Sequence, residues 1–273
     1  MSAHAPEHTA GISYVYAVGP AGMTLDASAG GLDGGPLRTV SAHGLSAVVS
    51  SVPEDAFSSE GLKAQMENLD RLENMARTHH TVVDAAYRSA TVLPMRLATV
   101  YLDDTRVQSM LQERQQDFAE LLSWLEGHVE LGVKVYADPQ QTSAVGAGAD
   151  APDPAAVAES PGRAYLQRRR AQKRSHQDAY RAAGSLAADA AGRANALARA
   201  RVVHRPQQGE LAGSAGENVA NEAYLVPADR VEEFCRSMAG LADDVDGVRI
   251  EITGPWAPYS FATPPEASGG GSQ

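Results

Sequence analysis

His79 and His80, the lone Cys235, a glycine-rich run and a cluster of arginines are where this 273-residue chain could carry chemistry. Two adjacent histidines on a helix point about 100° apart, so they do not share a face as ligands at i and i+4 would. No carboxylate or cysteine stands at a metal-binding spacing beside them. A single cysteine excludes an intramolecular disulfide and a cysteine-based zinc cage. Cys235 falls on the apolar side of a predicted helix with Val231, Phe234, Met238 and Leu241. There it is expected to be a buried packing residue, not a nucleophile. The run GPAGMTLDASAGGLDGG (19–35) suggests a phosphate loop, but it lacks the Gly-Lys-Ser/Thr ending, and a proline and a hairpin follow where a helix should open. No Gly-x-Ser-x-Gly elbow is present. These residues imply no catalytic, metal or cofactor site, and the chain is expected not to be an enzyme.

The arginines are the stronger signal. RRRAQKR contributes Arg168, Arg169, Arg170, Lys173 and Arg174, too many cations for one helix face. From Arg163 to Arg205 eleven basic residues stand against Asp178 and Asp189, a local charge of +9. That leaves −20 for the rest of a chain whose net charge is −11. Such asymmetry implies self-complementation or an acidic partner for this segment, and these five residues are the candidate partner contacts. Binding of a polyanion or nucleic acid through the basic helix 163–205 is the alternative. Few aromatics interleave the run and no recognition motif accompanies it, so specific nucleic-acid recognition is not expected.

One further stretch, TVLPMRLATVYL (91–102), is β-branched and apolar at both ends yet carries Pro94 and Arg96. Proline has no N–H for a sheet ladder and belongs at an edge, a strand end or a bulge. An edge or bulged strand, where proline and charge discourage uncontrolled pairing, fits these residues. An internal role with Arg96 paired to a nearby acid fits them as well.

The elements that must position these residues alternate between strand and helix patterns. ISYVYAV (12–18) reads as a strand, and LRTVSAHGLSAVVSSV as a hairpin turning at His43-Gly44. Leu62, Met66, Leu69, Leu72 and Ala76 share one helical face. A second helix spans about 78–89, and a third follows Asp103-Asp104, a helix-start signal. HVELGVKVYAD alternates as the strand closing this half. The order predicts an α+β fold with a largely antiparallel, ferredoxin-like domain over 1–137. Residues 138–160, rich in Ala, Pro and Gly, read as a flexible connector. An alanine-rich helix from 162 to about 203 follows, with Gly184 and Gly192 as weak points. Its stripe of Ala179, Ala183, Leu186, Ala190, Ala194 and Leu197 opens a second unit over 161–263, containing ANEAYLV, DRVEEFCRSMAGL and VRIEIT. The tail 264–273 is expected to be disordered. No run approaches membrane-spanning length and the start shows no secretory pattern, so a cytoplasmic protein is expected.

Four pieces, taken in order, carry a resemblance: YVYAV, VLPMRLATVYLDD, PGRAYLQRRR, and NEAYLV followed by GPWAPYSF. Together, from about residue 12 to 262, they resemble the GvpL/GvpF family of gas vesicle proteins. The family tends to Arg-Phe-Gly-Thr where this chain has Arg96-Leu97-Ala98-Thr99. The resemblance implies a non-enzymatic accessory protein of gas vesicle assembly, with a variant ferredoxin-like N-terminal domain and a second α+β domain. It also implies association with the small hydrophobic shell protein and other gas vesicle proteins, in nucleation or as a minor vesicle component.

Overall fold

The tyrosine- and valine-rich start forms β1 (Gly11–Pro20), the strand around which the first unit is built. The computed structural model describes residues 11–25, 30–138, 161–206 and 216–263. The connector over 139–160 and the tail over 264–273 lie outside the described residues. The chain divides into two compact units, one of residues 1–128 with 256–273 and one of 129–255.

In the first unit, β2 (Arg38–Ala42) and β3 (Leu45–Pro53) form the expected hairpin. His43 at φ 49° and Gly44 at φ 78° take the two positive φ angles that a tight two-residue turn requires. The antiparallel sheet runs β2-β3-β1-β4, with β4 (Leu93–Pro94) and β5 (Val100–Tyr101) both pairing with β1. Ile12, Tyr14 and Tyr16 alternate onto the face covered by Met75, Val82, Val83 and Ala86 of α3 (Leu69–Tyr87). Ser13 faces the other way, toward Asp104 at the start of α4 (Asp104–Glu113). The Asp103 carboxylate caps that helix by accepting from the Arg106 N–H at 2.8 Å, and α5 (Gln115–Leu125) follows.

One helical stripe is not continuous. Between α1 (Glu54–Phe57) and α3 lies α2 (Ser59–Glu67), and Asn68 leaves the helical region to cap α3. The cap resets the helical phase. Leu62 and Leu72 stay partly buried and Gln65 and Met75 turn inward, whereas Met66, Leu69 and Ala76 are left in solvent.

The second unit begins one strand earlier than 138. β6 (His128–Ala137) buries Leu131, Val133 and Val135 as its alternation predicts, but pairs within a second sheet ordered β7-β8-β6-β9. The boundary after 137 is therefore corrected to 128/129. α6 (Pro161–Asn195) runs through Gly184 and Gly192 and ends before the expected 203. The β-branched pair Val202-Val203 instead enters β7 (Ala200–His204), paired with β8 (Glu217–Pro227). Ala190, Ala194 and Leu197 pack with Tyr224, Val226 and with Phe234 and Met238 of α7 (Val231–Met238). After β9 (Val248–Trp256) the chain returns to the first unit. Ala257 is buried in that unit's core, and Phe261 stacks near Trp124. A second domain running to 263 is corrected accordingly.

Candidate functional site

The 91–102 stretch is an edge with a bulge in it. Pro94 lies opposite Ala17 on β1, and the backbone then leaves the ladder between Met95, whose N–H donates to the Tyr16 carbonyl at 2.9 Å, and Thr99, whose carbonyl accepts from Val15 N–H at 2.9 Å. Arg96, Leu97 and Ala98 form the excursion, closed by Thr99 N–H and hydroxyl donating to the Arg96 carbonyl at 3.2 and 2.7 Å. Arg96 is exposed and, among the described residues, forms no ion pair. The edge reading of this stretch therefore holds, and the internal pairing of Arg96 does not.

Two buried side chains pin the excursion from beneath. Ala98 N–H donates to the Tyr14 hydroxyl at 3.1 Å, and that hydroxyl bonds to His79 Nδ1 at 2.9 Å. His79 Nε2 reaches the Met95 carbonyl at 3.1 Å. A carbonyl only accepts, so Nε2 carries the proton and the Tyr14 O–H donates to the bare Nδ1. Burial, opposed by the Met95 bond, lowers the His79 pKa to about 4, so the ring is neutral at pH 7. Burial pushes the Tyr14 hydroxyl well above its ordinary value. Beside it the Tyr16 hydroxyl accepts from Leu32 N–H at 2.8 Å and lies 2.7 Å from Ser50 Oγ, which ties the end of the glycine-rich run to the sheet.

Ala98 has φ 63° in the position where the resembled motif carries glycine. A Cβ in the left-handed region costs about 1–2 kcal/mol, partly offset because glycine orders at a larger entropic cost. Ala98→Gly is expected to raise stability by about 0.5–1 kcal/mol, read from urea midpoints. A lower midpoint would mean that the methyl's packing against the core outweighs the strain.

The remaining charged groups with close partners brace the structure. Arg38 clasps Asp104 through Nε and Nη2 at 2.9 and 2.7 Å, while Ser13 Oγ donates to the same carboxylate at 2.6 Å. The Arg38 bonds hold the Asp104 carboxyl below the usual range, and together they lock β2 to the start of α4. In the second unit Glu222, almost wholly buried, accepts from Arg201 at 2.5 Å and from the Tyr224 hydroxyl. Each carboxylate is already occupied by its partners.

The sequence-predicted chemistry separates in space. His79 is buried, whereas His80 is half-buried and packs its ring against Trp256 and Tyr259. Cys235 is half-buried rather than buried, because Phe234 and Met238 take the inward positions of α7. Among the described residues no group of three or more His, Cys, Asp or Glu could hold a metal ion, and no helix is long and apolar enough to cross a membrane.

Four of the five residues of the arginine cluster are placed on a surface. Among the described side chains of α6 burial begins at Ala179, and none from 165 to 178 is buried. Arg169, Arg170, Lys173 and Arg174 are exposed, and the side chain of Arg168 lies outside the described residues. Such a surface suits binding of an acidic partner.

Comparison with known proteins agrees end to end. The family described as "Gas vesicle synthesis protein GvpL/GvpF" matches residues 12–263. This chain belongs to that family. It is 41% identical over 253 residues to Gas vesicle protein L of Streptomyces sp. (strain CB03234), covering 92% of each chain. With Gas vesicle protein F of the same strain it shares 27% over 238 residues, 83% of this chain and 87% of the relative. The GvpF crystal structure from Anabaena sp. PCC7120 superposes with a TM-score of 0.65 at 18% identity, covering 93% of this chain and 96% of the other. GvpF from Microcystis aeruginosa gives 0.63 at 18%, covering 92% and 99%. The GvpL/GvpF fold thus extends over both units, α+β with antiparallel sheets.

Proposed function

We propose that this GvpL/GvpF protein is a non-enzymatic, cytoplasmic accessory component of gas vesicle assembly that binds the small hydrophobic shell protein and other gas vesicle proteins. We propose further that Arg168, Arg169, Arg170, Lys173 and Arg174 form a contact for an acidic surface. The observation that carries the reading is the match over nearly the whole chain to gas vesicle synthesis proteins. The described part of the first half of α6 adds to it, since Arg169, Arg170, Lys173 and Arg174 are exposed and suited to a partner.

Co-expression with the shell protein tests the reading. The expected result is co-purification together with more shell protein in the soluble fraction. Exposed pairs are worth about 0–1 kcal/mol each, so single substitutions should do little. Arg168, Arg170 and Arg174 changed together to Glu should weaken partner binding in a salt-sensitive way. Failure of the wild-type chain to retain any gas vesicle protein would overturn the function. Retention on heparin that outlasts moderate salt would favour polyanion binding through the same helix.

A further inference from the structure

Two surface patches of this chain share one format with opposite charge. At the α2–α3 junction Met66 is 61% and Leu69 78% exposed, left outside by the Asn68 cap. Around them Glu60, Glu67, Asp70 and Glu73 are exposed; Glu67 lies 4.0 Å from Lys63 and Glu73 pairs with Arg77, and from Glu54 to Arg77 six acids stand against Lys63, Arg71 and Arg77, a net charge of −3. On the first half of α6 Tyr165 is 61% and Leu166 53% exposed. Leu166, Arg169, Arg170 and Lys173 follow i, i+3, i+4, i+7 and so share one helical face. Large exposed apolar residues ringed by charge mark interaction sites, and here one patch offers the counter-charge of the other.

We propose that the basic half of α6 of one copy docks on the α2–α3 junction of a second copy. The inference rests on the reading of the α6 cations as a partner contact and names the partner. Tyr165 and Leu166 cover Met66 and Leu69, while Arg169, Arg170, Lys173 and Arg174 meet the carboxylates of the acceptor. The 18 residues from Pro161 to Asp178 span roughly 27 Å at 1.5 Å per residue, long enough to lie across the end of α2 and the first turns of α3. Because the two patches differ, the contact is head-to-tail and leaves one of each free on every dimer, so copies add until a ring closes or the chain ends are capped. Its charged part weakens with salt.

Sedimentation velocity on the purified full chain tests this at about 50 mM and about 0.5 M salt. The wild type is expected to form dimers and larger species with rising concentration at low salt and to fall back toward monomer at high salt. Two variants, each checked by circular dichroism, remove one patch apiece: Arg169, Arg170, Lys173 and Arg174 to Glu, and Met66→Ser with Leu69→Ser. Each alone should associate on the order of tenfold more weakly or less. An equimolar mixture should form a 1:1 dimer that grows no further, since one intact patch of each kind remains. A wild-type chain that stays monomeric up to about 100 µM at low salt overturns the proposal, as does association that persists unchanged in both variants. The same α6 variant is then used in the shell-protein co-purification. Loss of shell binding with a monomeric wild type would leave the partner-contact reading standing and remove only self-association. No effect of charge reversal on either measurement would remove both.

Discussion

Tyr14→Phe is expected to lower the stability of the first unit by about 2–4 kcal/mol while leaving the ring packing intact. The phenyl group keeps the contacts with Tyr16, Phe57 and His79, whose ring centroids lie 4.7, 5.5 and 5.7 Å away. What disappears is one oxygen serving two partners, the Ala98 N–H and the His79 Nδ1. A buried group left without its hydrogen bond costs about 1–3 kcal/mol; the buried His79 Nδ1 loses its donor, and the part-buried Ala98 N–H loses its acceptor as well. Tyr16→Phe is the matched control. It also removes a bond to backbone N–H, at Leu32, but its second partner is the Ser50 hydroxyl, which can rotate. The Tyr14 variant should lose more stability in urea denaturation, and hydrogen exchange at Met95 to Thr99 should quicken in it alone. Equal losses in the two variants would show that the 95–99 excursion is not what Tyr14 holds.

How far the sequence showed this varies from residue to residue. The His43-Gly44 turn, the helix start at Asp103 and the alternation of β6 are local signals, and each determines the structure where it stands. The sheet that β6 joins is not local. Nothing in HVELGVKVYAD distinguishes the edge of the first sheet from the middle of the second, because both want alternating apolar residues. The stripe through Met66 and Leu69 misleads for a related reason. Periodicity assumes an unbroken helix, and Asn68, an ordinary capping residue, shifts the phase at that point. The segment 256–263 is misplaced although it is apolar, because hydrophobicity says that a segment is buried but not in which core, and Ala257 and Phe261 are buried in the first unit.

The candidate sites follow the same division. The arginine cluster is read directly from composition, since charges spaced around a helix must face solvent or a partner whatever the fold. The Tyr14–His79 pair is invisible in sequence because 65 residues separate its members and neither sits in a chemical motif. Its only trace is Pro94, which announces that the neighbouring strand is irregular and therefore needs something beneath it. Family resemblance locates that motif without explaining it. The left-handed Ala98 and the hydrogen bonds under it supply the explanation, with Leu97 and Arg96 held outward on a fixed excursion at the sheet edge.

The same histidine ties stability to pH. His79 is neutral in the folded protein, with its pKa lowered from 6.5 to about 4 by burial. In the unfolded chain the ring takes up a proton near its ordinary pKa, whereas the folded chain resists until about pH 4. The unfolded state therefore binds more protons between these values, and stability falls as pH drops through the window. Above about pH 7.5 both states are neutral and the linkage vanishes. At 1.36 kcal/mol per pKa unit the full loss is about 3 kcal/mol, of which about 2 kcal/mol is lost by pH 5. That upper part is the informative range, since most carboxylates titrate below it. Urea midpoints measured across pH 5–7.5 should fall steeply for the wild type. His79→Gln, whose amide can still meet the Met95 carbonyl but takes no proton, should start less stable and show a much flatter profile over the same range. An equally steep profile in the variant would assign the acid sensitivity to other groups and leave His79 as a packing residue whose charge state does not matter.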